Sequence, residues 1–264
     1  MAIIALKAWY LPEYEPIREL EQRPYDLRLS KNSLLKSGLR ADFLNDSEEV
    51  KQSVWFQRYL EGETVEFYIE GSGGYSISNI DLISHEIYFT KQDVMAHLDP
   101  IIFLCYQMEY STSSDLLRDE LQSIIEKLNR RSRLTLTLEE SHRLTDGPTR
   151  LSSTLMRKIH RCLLFIADST PILQIDGQPP QLIPSPKVCV EVGYALECKR
   201  SEQILLAQME RSEWGGMFPF DIPNRNRLVF RNKTELHKTL PQTVEAQLQR
   251  FNLFTRMMES DRNS

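Results

Sequence analysis

The 264-residue chain has few of the features that would tie it to a metal, a disulfide framework, a nucleic acid or a membrane. Its four cysteines, Cys105, Cys162, Cys189 and Cys198, show no C-x-x-C spacing. Each sits in an apolar or helical run, where a free thiol packs as a small hydrophobe, so neither a disulfide framework nor a thiolate zinc site is expected. The five histidines, His85, His97, His142, His160 and His237, form no H-x-x-H or H-E-x-x-H pair, and no metal is expected from them either. Basic residues do not dominate: 32 Lys+Arg against 37 Asp+Glu leave a net charge of −5. The field that draws proteins onto nucleic acid or anionic lipid is therefore missing. No window reaches the roughly 18 uninterrupted apolar residues of a spanning helix, and the opening MAIIALKAWY is too short and too soon followed by charge for a signal peptide. The expectation is a cytoplasmic protein. There is no internal repeat and no low-complexity tract.

Enough apolar material is present for a sizeable core, with 41% hydrophobic and 26% charged residues. The length accommodates one large domain or two modest ones. Charge divides the chain: residues 1–97 hold ten Lys+Arg and sixteen Asp+Glu, net −6, and the remaining 22 and 21 give +1. Two units are expected, 1–97 and 98–264. In the first, a helical stretch spans Glu48 to Leu60. Val65, Phe67 and Ile69 then alternate with polar neighbours ahead of Gly71-Ser72-Gly73-Gly74, which predicts a hairpin, and Ile87 to Thr90 reads as a further strand. The result is a small α+β module without a motif that names a reaction.

From Asp99 onward short apolar runs alternate with amphipathic helices, the pattern of parallel strands joined by crossover helices. Strands are predicted at Ile101–Tyr106, Leu134–Leu138, Leu163–Ala167, Ile204–Ala207 and Leu228–Phe230. A helix is predicted over Asp115–Leu128, entered through Thr112-Ser113-Ser114. Another carries Leu155, Met156, Ile159 and Cys162 on one face, and a last one spans Leu236–Phe251. Five such strands predict a flavodoxin-like doubly wound five-stranded parallel sheet, which binds ligands beyond the carboxyl ends of its strands.

Two segments fall where such a ligand would sit. Asp168-Ser169-Thr170-Pro171 directly follows the central apolar strand, although these residue types also make ordinary turns. In Ser185-Pro186-Lys187-Val188-Cys189-Val190-Glu191-Val192-Gly193-Tyr194-Ala195-Leu196, Ser185 is a good N-cap and Pro186 suits the first helical position. Glu191 then shares a face with Val188, Tyr194 and Ala195 instead of joining a charged stripe, so its carboxylate is expected to be partly desolvated. Gly193 costs helix propensity, about 1 kcal/mol against Ala, which close approach of a ligand or of the sheet would explain. By spacing alone Glu191 serves either chemistry or structural pairing.

The segments LLFIADSTP, SPKVCVEVGYALECKRSEQILLAQ and FPFDIPNRNRLVF together resemble the TIR-like (Toll/interleukin receptor-like) nucleotide-binding domains of prokaryotic defence systems. Members commonly show a strand ending in Asp and Thr-Pro, a PNV-x-x-ELGYAL helix, and a PFDL segment before the last strand. The resemblance covers about Asp99 to Phe251, and the E-x-G-Y-A-L core is shared with nucleoside deoxyribosyltransferases. Both families use the Glu of this motif to cleave an N-glycosidic bond, which points to Glu191 as the catalytic carboxylate. Tyr106 and Gln107 stand where the family often has an aromatic residue and Ser, Val192 replaces its usual Leu, and Ile172–Pro184 lengthens the link to the Glu helix. The segment Glu139–Arg150 takes the place of the family's mobile loop.

The resemblance implies NAD as substrate, with no other cofactor. Expelling neutral nicotinamide leaves an oxocarbenium-like ribose that Glu191 stabilises or traps. Tyr106 would stack on a base, Gln107, Asp168, Ser169 and Thr170 would hydrogen-bond ribose or phosphate, Tyr194 would line the substrate site, and Arg143 and Arg150 would meet phosphate. Family members act when self-associated, so the expectation is an assembly-activated NAD glycohydrolase of bacterial defence, residues 1–97 sensing a trigger or promoting assembly. The alternatives are a nucleoside or nucleotide deoxyribosyltransferase or hydrolase, and a non-catalytic nucleotide-sensing scaffold.

Overall fold

A computed structural model describes residues 5–31, 40–91, 95–142 and 152–254. The chain forms two compact units, Met1–His97 and Leu98–Ser264.

The first unit contains β1 (Ala5–Tyr10), α1 (Ile17–Leu20), β2 (Leu27–Ser30), β3 (Arg40–Asp42), α2 (Ser47–Gln52), α3 (Val54–Leu60), β4 (Glu66–Ile69), β5 (Gly73–Asp81) and β6 (Glu86–Lys91). Its strands make one antiparallel sheet in the order β2-β1-β4-β5-β6-β3. The β4–β5 hairpin turns through Gly71 at φ +66° and Gly73 at φ +112°, a region that residues with a Cβ avoid. The single helix predicted over Glu48–Leu60 is instead two. Ser53 takes an extended conformation between them, donating its hydroxyl to Val50 O and accepting Phe56 N–H. This break carries Trp55 into the core, edge-on to Phe67 at 5.2 Å.

The second unit contains β7 (Asp99–Cys105), α4 (Ser111–Asn129), β8 (Thr137–Glu140), α5 (Ser153–Arg161), β9 (Cys162–Asp168), β10 (Pro171–Ile175), β11 (Gln181–Pro184), α6 (Pro186–Cys198), β12 (Ile204–Met209), β13 (Arg227–Phe230) and α7 (Lys233–Leu248). Five strands form a parallel sheet in the order β13-β12-β9-β7-β8. Strand β9 lies at its centre and every one of its residues is buried, which is why its sequence runs apolar without alternation. Phe103, Cys105, Phe165 and Ala167 point toward α5 and α6. Their neighbours Ile102, Leu104, Leu164 and Ile166 therefore point to the other side, where α4 packs on α7.

Several predicted boundaries shift for local reasons. The second strand begins at Thr137 instead of Leu134, because Asn129 clamps both backbone groups of Leu136 (Leu136 N–H to Oδ1 2.8 Å, Nδ2 to Leu136 O 2.9 Å) and turns the chain before pairing starts. Cys162 belongs to β9, not to the preceding helix. Helix α4 starts a turn early, at Ser111, which puts Ser113 and Ser114 inside it instead of at its cap. The inserted Ile172–Pro184 folds as the antiparallel β10–β11 hairpin. Gly216 lies against it so closely that a Cβ would sit 2.5 Å from Pro180 O.

The rings of Phe103 and Phe165 stack across β7 and β9 at 6.1 Å and 10°. Phe165→Ala should lower the unfolding free energy of the full chain by about 3–5 kcal/mol, read as a reduced midpoint in urea or guanidinium. A midpoint unchanged from the parent chain would show that this stack does not hold the sheet.

Candidate functional site

Crossover helices that follow parallel strands begin at the carboxyl edge of the sheet, so α4 and α6 bring their N-termini to the edge where Tyr106, Ser141 and Ser169 leave β7, β8 and β9. The chain reverses direction of travel between β7 and β9: β8 was added on one side, β12 and β13 on the other. Ligands of open α/β sheets bind at such a reversal.

Helix α6 opens with Pro186 in its first turn, and Val188, Val192 and Ala195 press its apolar stripe onto the sheet. Glu191 lies on that stripe, three residues beyond Val188, and is 1% exposed. Its Oε2 accepts a hydrogen bond from Ser141 Oγ at 2.5 Å, and Ser141 is itself fixed by its N–H to Leu104 O at 3.0 Å. The desolvation expected from spacing is thus nearly complete. Sequence reasoning did not single out Ser141: nothing local distinguishes it from other polar residues at a strand end, and 50 residues separate it from its partner. Gly193 does not clear space for a ligand or the sheet, because it faces outward and a Cβ there would meet nothing within 4 Å. Ser185 precedes α6 as expected, yet it caps nothing with its side chain; its hydroxyl donates to Glu109 Oε1 at 3.0 Å.

Asp168, Ser169 and Thr170 are all buried at the end of β9. Asp168 Oδ2 accepts from Ser113 Oγ (2.5 Å) and Ser114 Oγ (2.6 Å), and its Oδ1 accepts Thr170 N–H (3.0 Å). Thr170 Oγ1 accepts Met209 N–H at 2.8 Å, and Ser169 donates its hydroxyl to Ala207 O at 2.9 Å. These side chains bind the strand ends to one another and to the first turn of α4. Burial pushes the Asp168 carboxyl above the ordinary range, opposed by its hydrogen bonds.

Gln107, 1% exposed, spans the reversal point itself: its Nε2 donates to Thr170 O at 2.9 Å and its N–H to Ser114 Oγ at 3.0 Å. Its Oε1 is buried with no hydrogen-bond partner among the described residues. Tyr106 is half-buried and turns to the α4 side, where the Arg118 guanidinium sits 5.1 Å from its ring centre while bonding Glu140 and Asp115. Tyr194 packs against the α6-side core, and burial and Cys198, one turn toward the helix C-terminus, push its hydroxyl pKa up. The structure therefore gathers Gln107, Asp168, Ser169 and Thr170 at one point. Glu191 and Ser141 form a second group on the α6 side of the edge. Tyr106 lies across the sheet from Glu191, and the Tyr194 hydroxyl turns along the helix away from the edge.

Arg143 and Arg150 lie outside the described residues, as does most of Glu139–Arg150. Among the described residues no cluster of three or more His, Cys, Asp or Glu could hold a metal ion, and no helix is long and apolar enough to cross a membrane. Compared with protein-family models, with curated proteins and with solved structures, the chain matches none.

Removing the hydroxyl in Ser141→Ala strips a buried carboxylate of a donor, at an expected cost of about 1.5–3 kcal/mol in unfolding free energy. Combined with Glu191→Gln the cost should be smaller than the two single losses together, and strict additivity in the double-mutant cycle would break the pairing. For Asp168 the raised native pKa means that the folded chain binds more protons than the unfolded one. Its contribution is full below the unfolded value of about 3.9 and is lost as pH rises through the native value. Stability of the parent chain should thus decline relative to Asp168→Asn as pH is raised from about 4, measured by denaturant titration. Parallel curves would refute the shift.

Proposed function

We propose that the second unit is a flavodoxin-like, TIR-like domain that cleaves an N-glycosidic bond, with NAD or a related nucleotide as substrate and Glu191 as the catalytic carboxylate. The observation that carries this reading is a carboxylate 1% exposed, hydrogen-bonded by Ser141, on the helix bearing the E-x-G-Y-A-L motif and beside the carboxyl edge of a parallel sheet.

The C1′–N bond to nicotinamide breaks with its electron pair leaving on the nitrogen, so the departing ring becomes neutral and positive charge develops on the ribose. A carboxylate held in a medium of low dielectric stabilises that charge more strongly than one in water and needs no reorientation as the charge appears. Ser141 keeps Oε2 in place, water or an acceptor then adds to C1′, and a proton is released. The N-termini of α4 and α6, neither of which has a side-chain cap, favour phosphate. Because Glu191 is shielded in the single chain, the burial also supports an enzyme that acts only once assembled, with residues 1–97 sensing a trigger or driving assembly in a bacterial defence role.

One observation favours a second reading, a nucleotide-sensing scaffold without turnover: Asp168, Ser169 and Thr170 already use their polar atoms within the fold, as purely structural residues would. Nicotinamide release from NAD, followed by chromatography at high protein concentration with and without a crowding agent, separates the readings. Release by the parent chain that falls at least about a hundredfold in Glu191→Gln and Glu191→Ala, both folded, is the expected result. Nucleotide binding without release under any condition would establish the scaffold, and turnover of deoxynucleosides alone would establish the transferase alternative.

A further inference from the structure

The link between β9 and α6 presents a strand edge and an apolar face that neither the core nor the proposed chemistry uses. In the β10–β11 hairpin Leu173 pairs with Ile183, Gln174 with Leu182 and Ile175 with Gln181, and Ile172 is the extra residue of a bulge. The far side of β11 is occupied: Leu182 donates its N–H to Met217 O at 3.0 Å, and Met217 donates to Pro180 O at 2.7 Å. Backbone groups alternate sides along a strand, so it is Gln181 and Ile183 whose N–H and C=O bond β10, through Ile175 and Leu173. The N–H and C=O of Gln174 therefore point away from the hairpin, at an edge that no strand pairs among the described residues. The Gln174 side chain is engaged elsewhere, its Oε1 accepting Gly215 N–H at 3.2 Å.

Side chains alternate as well. Leu182 is buried on one face of the hairpin, whereas Leu173, Ile175 and Met217, the last paired with Gln181, share the other and are 52%, 47% and 50% exposed. Ile183 lies on that face half-buried. Apolar residues scattered singly over a surface need no explanation, but four on one face beside an open edge form a patch. Native sheets commonly blunt such an edge with charge, and this one is not blunted in that way: between Pro171 and Pro184 the one charged residue is Asp176, past the end of β10.

We infer that a second copy of the chain covers this patch, the two β10 strands pairing antiparallel about a two-fold axis at Gln174. That register joins the Gln174 N–H of each copy to the Gln174 C=O of the other, and it sets Leu173 of one copy opposite Ile175 of the other on the same face. Four apolar side chains then meet across the axis, and the two Asp176 carboxylates stay at opposite ends of the paired strands. Two copies of net charge −5 repel one another, so a neutral edge is where they approach at least cost. With Met217 already on β11, each hairpin has one open edge among the described residues, and pairing closes at two copies instead of growing into a filament. Three half-exposed side chains and a five-residue strand offer far less than the roughly 800 Å² per partner of a stable complex, so the dimer is one of high concentration. The hairpin joins Thr170, whose N–H bonds Asp168, to Ser185 at the start of α6, so the dimer would act on the helix that carries Glu191. That consequence rests on the assembly-dependent enzyme proposed above; the pairing itself does not.

Sedimentation of the full chain over about 1 μM to 1 mM should show one chain passing to two. Leu173→Lys, which puts a charge on the apolar face at an exposed position, should weaken association at least about tenfold with an unchanged melting temperature. Gln174→Pro should weaken it as much, because it removes the outward N–H, a loss that an edge strand tolerates. Hydrogen exchange reads the register without any substitution: the amides of the peptide spanning 172–176 should exchange more slowly at the dimeric concentration than at the monomeric one, and this slowing should vanish in Leu173→Lys. Glu191→Gln should associate like the parent chain, so absent nicotinamide release, which would sink the N-glycosidic reading, leaves the pairing intact. A single chain at every concentration would leave the edge to a different partner and overturn the inference. Association that Leu173→Lys leaves unchanged, or slowed exchange confined to another segment, would overturn it equally.

Discussion

The buried carboxylate of Asp168 holds together the end of the central strand, the start of α4 and the backbone beyond the reversal of the sheet. With its oxygens taken by Ser113, Ser114 and the Thr170 amide, it fixes α4 where Gln107 can reach across to Thr170 O. A buried acid raises the cost of folding unless it is hydrogen-bonded, and Asp168 accepts three bonds that oppose the upward push of burial on its pKa. Everything else at the carboxyl edge is placed relative to this knot.

Glu191 depends on a different constraint. Its position on the sheet-facing stripe of α6 buries it whatever its role, and Ser141 at the end of β8 supplies the donor that makes burial tolerable. The proposed chemistry draws on the same arrangement that stabilises the fold, a charge held in a shielded place with its partner already aligned. The two edges of the sheet thus differ in character. The carboxyl edge concentrates acids, hydroxyls and helix N-termini, while Glu202, Arg225 and Arg250 meet where β12 and β13 begin.

Much of this was legible in the chain itself where a local pattern reports a local force. Runs such as IIFLC and LLFIA announce strands buried on both faces, and Pro186 marks the first turn of α6. The patterns misled where a side chain acts on backbone near its own place in a way that composition does not reveal. Ser53 splits one apparent helix into two, Asn129 delays β8 by holding Leu136, and the serines ahead of Asp115 join α4 instead of capping it. Gly193 reads as a clearance residue beside Glu191, yet two residues along a helix is about 200° of rotation, so it faces the outside.

Sequence by itself determined the parallel five-stranded sheet, the helices between its strands and the place of Glu191 on the apolar face of α6, because each follows from periodicity over a few residues. Tertiary structure alone decided that Ser141 meets Glu191, that Asp168, Ser169 and Thr170 are consumed by the sheet edge, and that Tyr106 turns to Arg118 on the other side. Those contacts join residues up to some tens of positions apart, and they form only when strand order and helix placement bring the ends together. No spacing along the chain encodes that order directly.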